Sequence, residues 1–182
     1  MLSDLMTEHY KALLQRRLGI TAIGASTARG MGPKGTIEAV RLFLGKLDLR
    51  AFEAANSHVE FAKALNLATE ALRLTMPFEA RNWGSARKFM NIFLRDCCYN
   101  RHMCEFYRLA EVEQWLEVPL DSLVAQGLRN HDAQNDLPRW KTVIGLTSEQ
   151  SECFQSFATR FAAEKHVYRV HLDLLFWRTK IT

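Results

Sequence analysis

Apolar residues in this chain recur three and four positions apart almost throughout, and runs that alternate apolar with polar residues are nearly absent. Such spacing lines one face of a helix, whereas a half-buried strand needs alternation. The pattern predicts a helix over 3–17, then a glycine-rich connection over 19–35. A second helix is predicted over 36–46 from Ile37, Val40, Leu44 and Leu47, and a long one over 57–76, stopped by Pro77, which has no N–H to continue it. Further helices are predicted over 83–99, 102–108 and 110–116. After the break at Pro119, Asp121 is placed to cap a helix through Leu128. Thr147-Ser148-Glu149-Gln150 has the form of a capping box and opens a helix to about Lys165. Residues 129–139 form a polar loop. The segment 167–177 stays open between strand, favoured by its β-branched residues, and helix, favoured by Leu172, Leu175 and Phe176. The expectation is one compact all-α domain over 1–182, long enough to bury a real core.

Composition narrows the function classes. At 48% hydrophobic and 24% charged residues, the chain is ordinary for a globular domain. No apolar run approaches the ~18 residues of a membrane span, so no membrane partner is expected. Met1 to Glu8 lacks the basic-then-apolar layout of a signal peptide. Cys97, Cys98, Cys104 and Cys153 are not spaced as a disulfide framework, and reduced thiols in the cytosol are expected. The net charge of +4 is mild, but it is unevenly spread. Arg29, Lys34, Arg41, Lys46 and Arg50 stand against Glu38 and Asp48, and Arg81, Arg87, Lys88, Arg95 and Arg101 against Asp96. Two such clusters fit a polyanion partner, or equally two solvated helix faces.

Two segments carry candidate chemistry. Lys88 lies beside the apolar stripe of the 83–99 helix, with Arg81 and Arg87 near it in sequence. Desolvation and like charge both disfavour an ammonium, so a lowered pKa is expected, and the neutral amine is the form that attacks carbon. The alternative is a lysine whose stem covers apolar surface while its head stays in water. Asp121, in Val118-Pro119-Leu120-Asp121-Ser122, is explained as a helix cap alone. A carboxylate held rigidly there can also stabilise positive charge building on a sugar ring, or take a proton from an attacking amine.

Other motifs are less specific. Gly30-Met31-Gly32-Pro33-Lys34-Gly35 has the spacing G-x-G-x-x-G, but no βαβ pattern surrounds it and it is not a Walker loop. What remains is a tight turn, or backbone N–H groups at Gly32 and Gly35 offered to a phosphate with Lys34 beside them. Asp173 caps, pairs with Arg169 or Arg178, or recognises a ligand base. The spacing of Cys97, Cys98, His102 and Cys104 is not a zinc pattern, so neither metal nor cofactor is expected. Trp83, Trp115, Trp140 and Trp177 suit the core, and one that lines a cleft could stack on a base.

Together these pieces resemble the helix-hairpin-helix DNA glycosylase superfamily. Its catalytic aspartate starts a helix in a V-D-x-x-V context, similar to Pro119-Leu120-Asp121-Ser122-Leu123-Val124. The nearest likeness is to the archaeal 8-oxoguanine glycosylase branch, with a lysine upstream and a segment similar to Leu172-Asp173-Leu174-Leu175-Phe176-Trp177 near the end. The likeness covers mainly 81–129 and 167–177. The hairpin signature L-P-G-h-G-x-x-x-A does not precede Lys88, and there is no iron–sulfur cysteine set. The resemblance implies base excision from duplex DNA with a flipped base. Lys88 would be the nucleophile and Asp121 its partner, Arg29, Lys34, Arg81 and Arg87 phosphate contacts, and Trp83, Asp173 and Trp177 base-pocket residues. The other reading is a non-catalytic all-α nucleic-acid-binding or interaction protein with the same fold. A nucleotide-using enzyme built on the glycine loop ranks last.

Overall fold

The computed structural model describes residues 2–177, with side chains from Thr7 onward. The fold is all-α. The helices are α1 (Leu2–Ala22), α2 (Thr36–Leu44), α3 (Arg50–Glu53), α4 (His58–Thr75), α5 (Trp83–Tyr99), α6 (Arg101–Phe106), α7 (Leu109–Val112), α8 (Ser122–Asn130), α9 (Ser148–Glu164) and α10 (Leu172–Phe176). Single 3-10 turns fill Phe78–Ala80, Glu113–Trp115 and Arg169–His171.

Local chemistry sets most of these limits. Ser57 caps α4 by accepting from the Glu60 N–H, and the Glu60 carboxylate returns to the Asn56 N–H. Asn82 caps α5 at the Ser85 N–H, and Thr147 with Gln150 forms the expected capping box on α9. One expectation needs correction, and one left open is decided. Helix α1 runs past residue 17 to Ala22 because Leu18, Ala22 and Ile23 pack into the core, which outweighs the ~1 kcal/mol cost of Gly19 inside a helix. The ambiguous 167–177 segment is a 3-10 turn followed by α10, its Leu172 and Phe176 packed on a neighbouring cluster.

Helix α5 runs through the middle of the molecule. Every residue from Gly84 to Leu94 is buried, and the helix packs against α1, α4, α6 and α9. Phe89 and Phe93 are fully enclosed, each contributing roughly 1.5–3 kcal/mol of burial. The helix can enter the core at its first turn only because residue 84 is glycine: a Cβ there would stand 2.0 Å from the Val143 carbonyl oxygen and 2.8 Å from Leu146 Cβ. The loop 142–146 thus lies directly on the start of α5. Around it the apolar residues form two clusters. One gathers α1 to α7. The other gathers Val118, Leu120 and the inner faces of α8, α9 and α10. The chain passes from the first to the second between Leu116 and Val118, and the candidate site lies along that seam.

Candidate active site

Lys88 emerges from α5 on the face that also carries Ile92, Arg95, Asp96 and Tyr99, and all five line one cavity. Its side chain is 9% exposed. Nζ donates to the Thr27 carbonyl at 3.3 Å and stands 3.9 Å from Asp121 Oδ2. Burial pulls the Lys88 pKa below the ordinary lysine range, and the Asp121 charge opposes that shift. The lowered pKa expected from sequence is therefore present with half of its expected cause. Desolvation acts, but the like charge of Arg81 and Arg87 does not contribute.

Asp121 serves two partners with one carboxylate. Oδ1 accepts the Leu123 and Val124 N–H groups at 2.9 and 3.0 Å and caps α8. Oδ2 is left facing Lys88. Capping and a place beside the amine are therefore compatible, and the cap fixes the carboxylate for the amine. The chain before Asp121 is extended, and among the described residues no backbone–backbone hydrogen bond reaches 117–120. Side chains hold it instead. Arg169 donates to the carbonyls of Trp115 and Leu116, both at 2.9 Å. Gln155 bonds both the N–H and the carbonyl of Val118, at 3.1 and 2.8 Å. Arg87 grips the Glu117 carboxylate through two nitrogens, at 2.9 and 3.0 Å, and Asn91 adds a third bond at 2.9 Å. Burial pushes the Glu117 carboxyl up, but Arg87, Arg169 and these bonds outweigh it and hold the group below the usual carboxylate range.

Two open cavities meet at the Lys88–Asp121 pair. The larger, of about 650 Å³, adds Asp173 and Trp177 to the face already described. The smaller, of about 520 Å³, extends past Gly30 and Met31 to Ser122 and the 142–144 loop. Ser26, Thr27, Arg29, Lys88, Asp121 and Leu123 belong to both. In the larger cavity Arg95 bridges the carboxylates of Asp96 and Asp173. Burial raises the Tyr99 phenol to about 12, with Arg95 opposing, so the ring presents a neutral hydroxyl, hydrogen-bonded to His171 Nδ1 at 2.7 Å. Helix α10 carries Asp173 and leads to Trp177, and it is seated on α8 through Phe176 against Gly127.

The structure brings Lys88, Asp121, Arg29, Asp173 and Trp177 together around one opening. Three of the other expectations are corrected. Arg87 is buried and committed to Glu117 and Thr69, so it has no face to offer a phosphate. Trp83 lines neither cavity; it packs on the second cluster with the Arg87 guanidinium 5.2 Å from its ring. Asp173 pairs with Arg95 rather than Arg169, whose guanidinium is taken by carbonyls; Arg178 lies outside the described residues. Gly32, Lys34, Gly35 and Arg81 lie outside both cavities. A Cβ at Gly32 would meet Thr36 Oγ1 at 2.5 Å and Ala80 Cβ at 2.6 Å, so this glycine is needed for packing. That same contact sets the glycine loop against the turn before Arg81, with Lys34 and Arg81 both exposed. Sequence inspection missed Glu117, Arg95 and Tyr99. The helical register of 88, 92, 95 and 99 was the available signal for the last two; Glu117 had none.

Among the described residues, no group of three or more His, Cys, Asp or Glu side chains is placed to hold a metal ion, and no helix is long and apolar enough to cross a membrane. No protein-family model matches the chain, and no curated protein or solved structure does either.

Proposed function

We propose that this protein is a DNA glycosylase with lyase chemistry, which excises a damaged or modified base through Lys88. One observation carries the proposal: a desolvated amine stands 3.9 Å from a rigid carboxylate at the meeting point of two open cavities. The larger cavity falls within the ~300–1,000 Å³ of ligand sites. It offers aromatic rings at Tyr99 and Trp177 and a polar group at Asp173 for an extruded base. Arg29, exposed and common to both cavities, suits a phosphate beside the target sugar. Exposed Lys34 and Arg81 extend the cationic rim along the duplex. The missing hairpin signature would leave this rim to hold the backbone.

In this scheme the Lys88 nitrogen lone pair forms a bond to the anomeric carbon as the bond from that carbon to the base breaks. The base departs with the bonding pair and takes up one proton, the one that the amine sheds on bonding and that Asp121 relays. Asp121 Oδ2 lies where positive charge builds on the sugar and where a proton leaving the amine can go. Burial lowers the proton affinity of the amine and so favours the form that can attack carbon, and the Thr27 carbonyl accepts one of its N–H groups. Opening of the sugar ring then gives a Schiff base, which borohydride reduces to a stable adduct.

Borohydride trapping against a panel of base-modified duplex and single-stranded DNA tests the proposal. A covalent adduct that Lys88→Ala abolishes is expected. Asp121→Asn should slow its formation by about 10²-fold, within the ~10²–10⁴ range of acid–base assistance. An adduct that survives Lys88→Ala removes Lys88 as nucleophile. Salt-sensitive binding blind to the lesion, with no adduct anywhere on the panel, identifies a non-catalytic DNA-binding protein instead.

A further inference from the structure

We propose that Arg87 and Glu117, with Asn91, form a positioning clamp that sets the distance between the Lys88 amine and the Asp121 carboxylate. The clamp is drawn from geometry alone; its use in catalysis rests on the glycosylase proposal. Arg87 is the residue before Lys88 on α5, and Asn91 lies one turn further on. Glu117 sits four residues before Asp121, on the extended run between the two apolar clusters. No backbone ladder ties that run to α5, so its register along the helix has to come from side chains. Arg87 supplies it: the planar guanidinium takes both Glu117 oxygens in a fixed fork, a geometry that tolerates little sliding. A third nitrogen, Nη1, donates to Thr69 Oγ1 at 3.0 Å, which ties the fork to α4 as well.

The pair is 8% and 13% exposed. A buried ion pair of this kind is often no more stabilising than apolar residues of the same size. Packing alone therefore gives no reason for its presence. What an apolar pair lacks is direction. Methionine against leucine can slide by an ångström without losing much contact, whereas two parallel N–H···O bonds cannot. The neighbouring Lys88–Asp121 contact is long and has no hydrogen bond between its two groups; the α8 cap and the Thr27 carbonyl orient its ends, and the clamp sets how far apart the segments bearing them stand.

The test reads the coupling between Lys88 and Asp121 in the intact chain, with no DNA present. The Lys88 side-chain amine is titrated by NMR with and without Asp121→Asn, in wild type and in Arg87→Met with Glu117→Leu. In wild type, Asp121→Asn should lower the proton affinity of Lys88 by about tenfold, because a charge within ~4–6 Å is removed. In the apolar double variant, which should melt close to wild type, the same substitution should shift it by less than half as much. Should the double variant fail to fold, Arg87→Lys serves: it keeps the charge and loses the fork, and it should also reduce the coupling by at least half. Equal coupling in wild type and in either folded variant overturns the clamp. Where DNA is trapped, Arg87→Lys should slow adduct formation about tenfold with unchanged DNA affinity, as expected for an ångström-scale misplacement. A chain that shows the coupling and traps no DNA keeps the clamp and loses the glycosylase; one that traps DNA while its titrations are uncoupled loses the clamp alone.

Discussion

Arg87 and Lys88 are adjacent in sequence, and each faces one carboxylate, yet their pairs are opposites. Arg87 and Glu117 are largely buried, bidentate and closed, with bonds of 2.9 and 3.0 Å and further bonds to Asn91 and Thr69. Lys88 and Asp121 are 3.9 Å apart, Asp121 is 30% exposed, and the space around them is open. One residue on a helix is a rotation of about 100°, enough to turn one cation into the seam and the other into the cavity. The difference teaches which pair has chemistry to offer. A cation with all three guanidinium nitrogens engaged holds structure, whereas an amine with one hydrogen bond and a distant carboxylate has donors left over.

The largest effect that separates the two pairs should appear in stability. Glu117→Ala strands the buried Arg87 charge and should cost about 3–5 kcal/mol in urea unfolding, the range for breaking one side of a buried ion pair. A loss below about 1 kcal/mol would mean that the two pairs are alike and that the contrast fails. Asp121→Ala should cost about 1 kcal/mol, because it removes the α8 cap, whereas Asp121→Asn keeps a capping oxygen and should cost a few tenths. A large loss in Asp121→Asn would make the charge at 121 structural. Lys88→Met should be near neutral at pH 7, since the amine gives up one long ion pair and one 3.3 Å bond while the apolar stem remains.

The smallest effect lies in the pH dependence. Lys88 has a folded pKa below its unfolded one. At pH values below both, the two states carry the same proton and the burial penalty is fully present. As pH rises through the folded pKa, the native amine loses its proton first. The unfolded chain then binds more protons, so stability rises with pH until the ordinary lysine range is passed. Unfolding midpoints measured up that window should climb in wild type and stay flatter in Lys88→Met. Glu117 has the same sign in the acid range: its folded pKa is also lowered, so its contribution is present above the ordinary carboxylate range and is lost as pH falls through the folded value. A Lys88→Met curve that climbs as steeply as wild type would show that burial of this amine carries no proton linkage.

Much of the helical layout was legible because its determinants are local. The limits of α5 follow from Asn82, a cap, and from apolar spacing that ends at Tyr99; Pro77 and the Thr147–Gln150 box mark their helices in the same way. Where distant packing decides, local signals failed. The extra turn of α1 depends on a core assembled from α2 and α4, and the helical state of 172–176 depends on α8 and α9. The site shows the same division. Lys88 and Asp121 were singled out by chemistry, each from its own segment. Nothing in sequence distinguishes Arg87 from Lys88, since both border the apolar stripe, and Glu117 is one carboxylate among many until Arg87 reaches it. The trade of roles between them is a property of the third dimension.

Gly84 reaches further than the helix it begins. Its missing methyl lets the Val143 backbone settle on α5, and the strip Thr142, Val143 and Ile144 is the outer wall of the smaller cavity. The bore of that vestibule is thus governed from beneath, at a residue no ligand would touch. A side chain introduced at position 84 would collide with the Val143 backbone, so this wall or the start of the helix that bears Lys88 would have to give way.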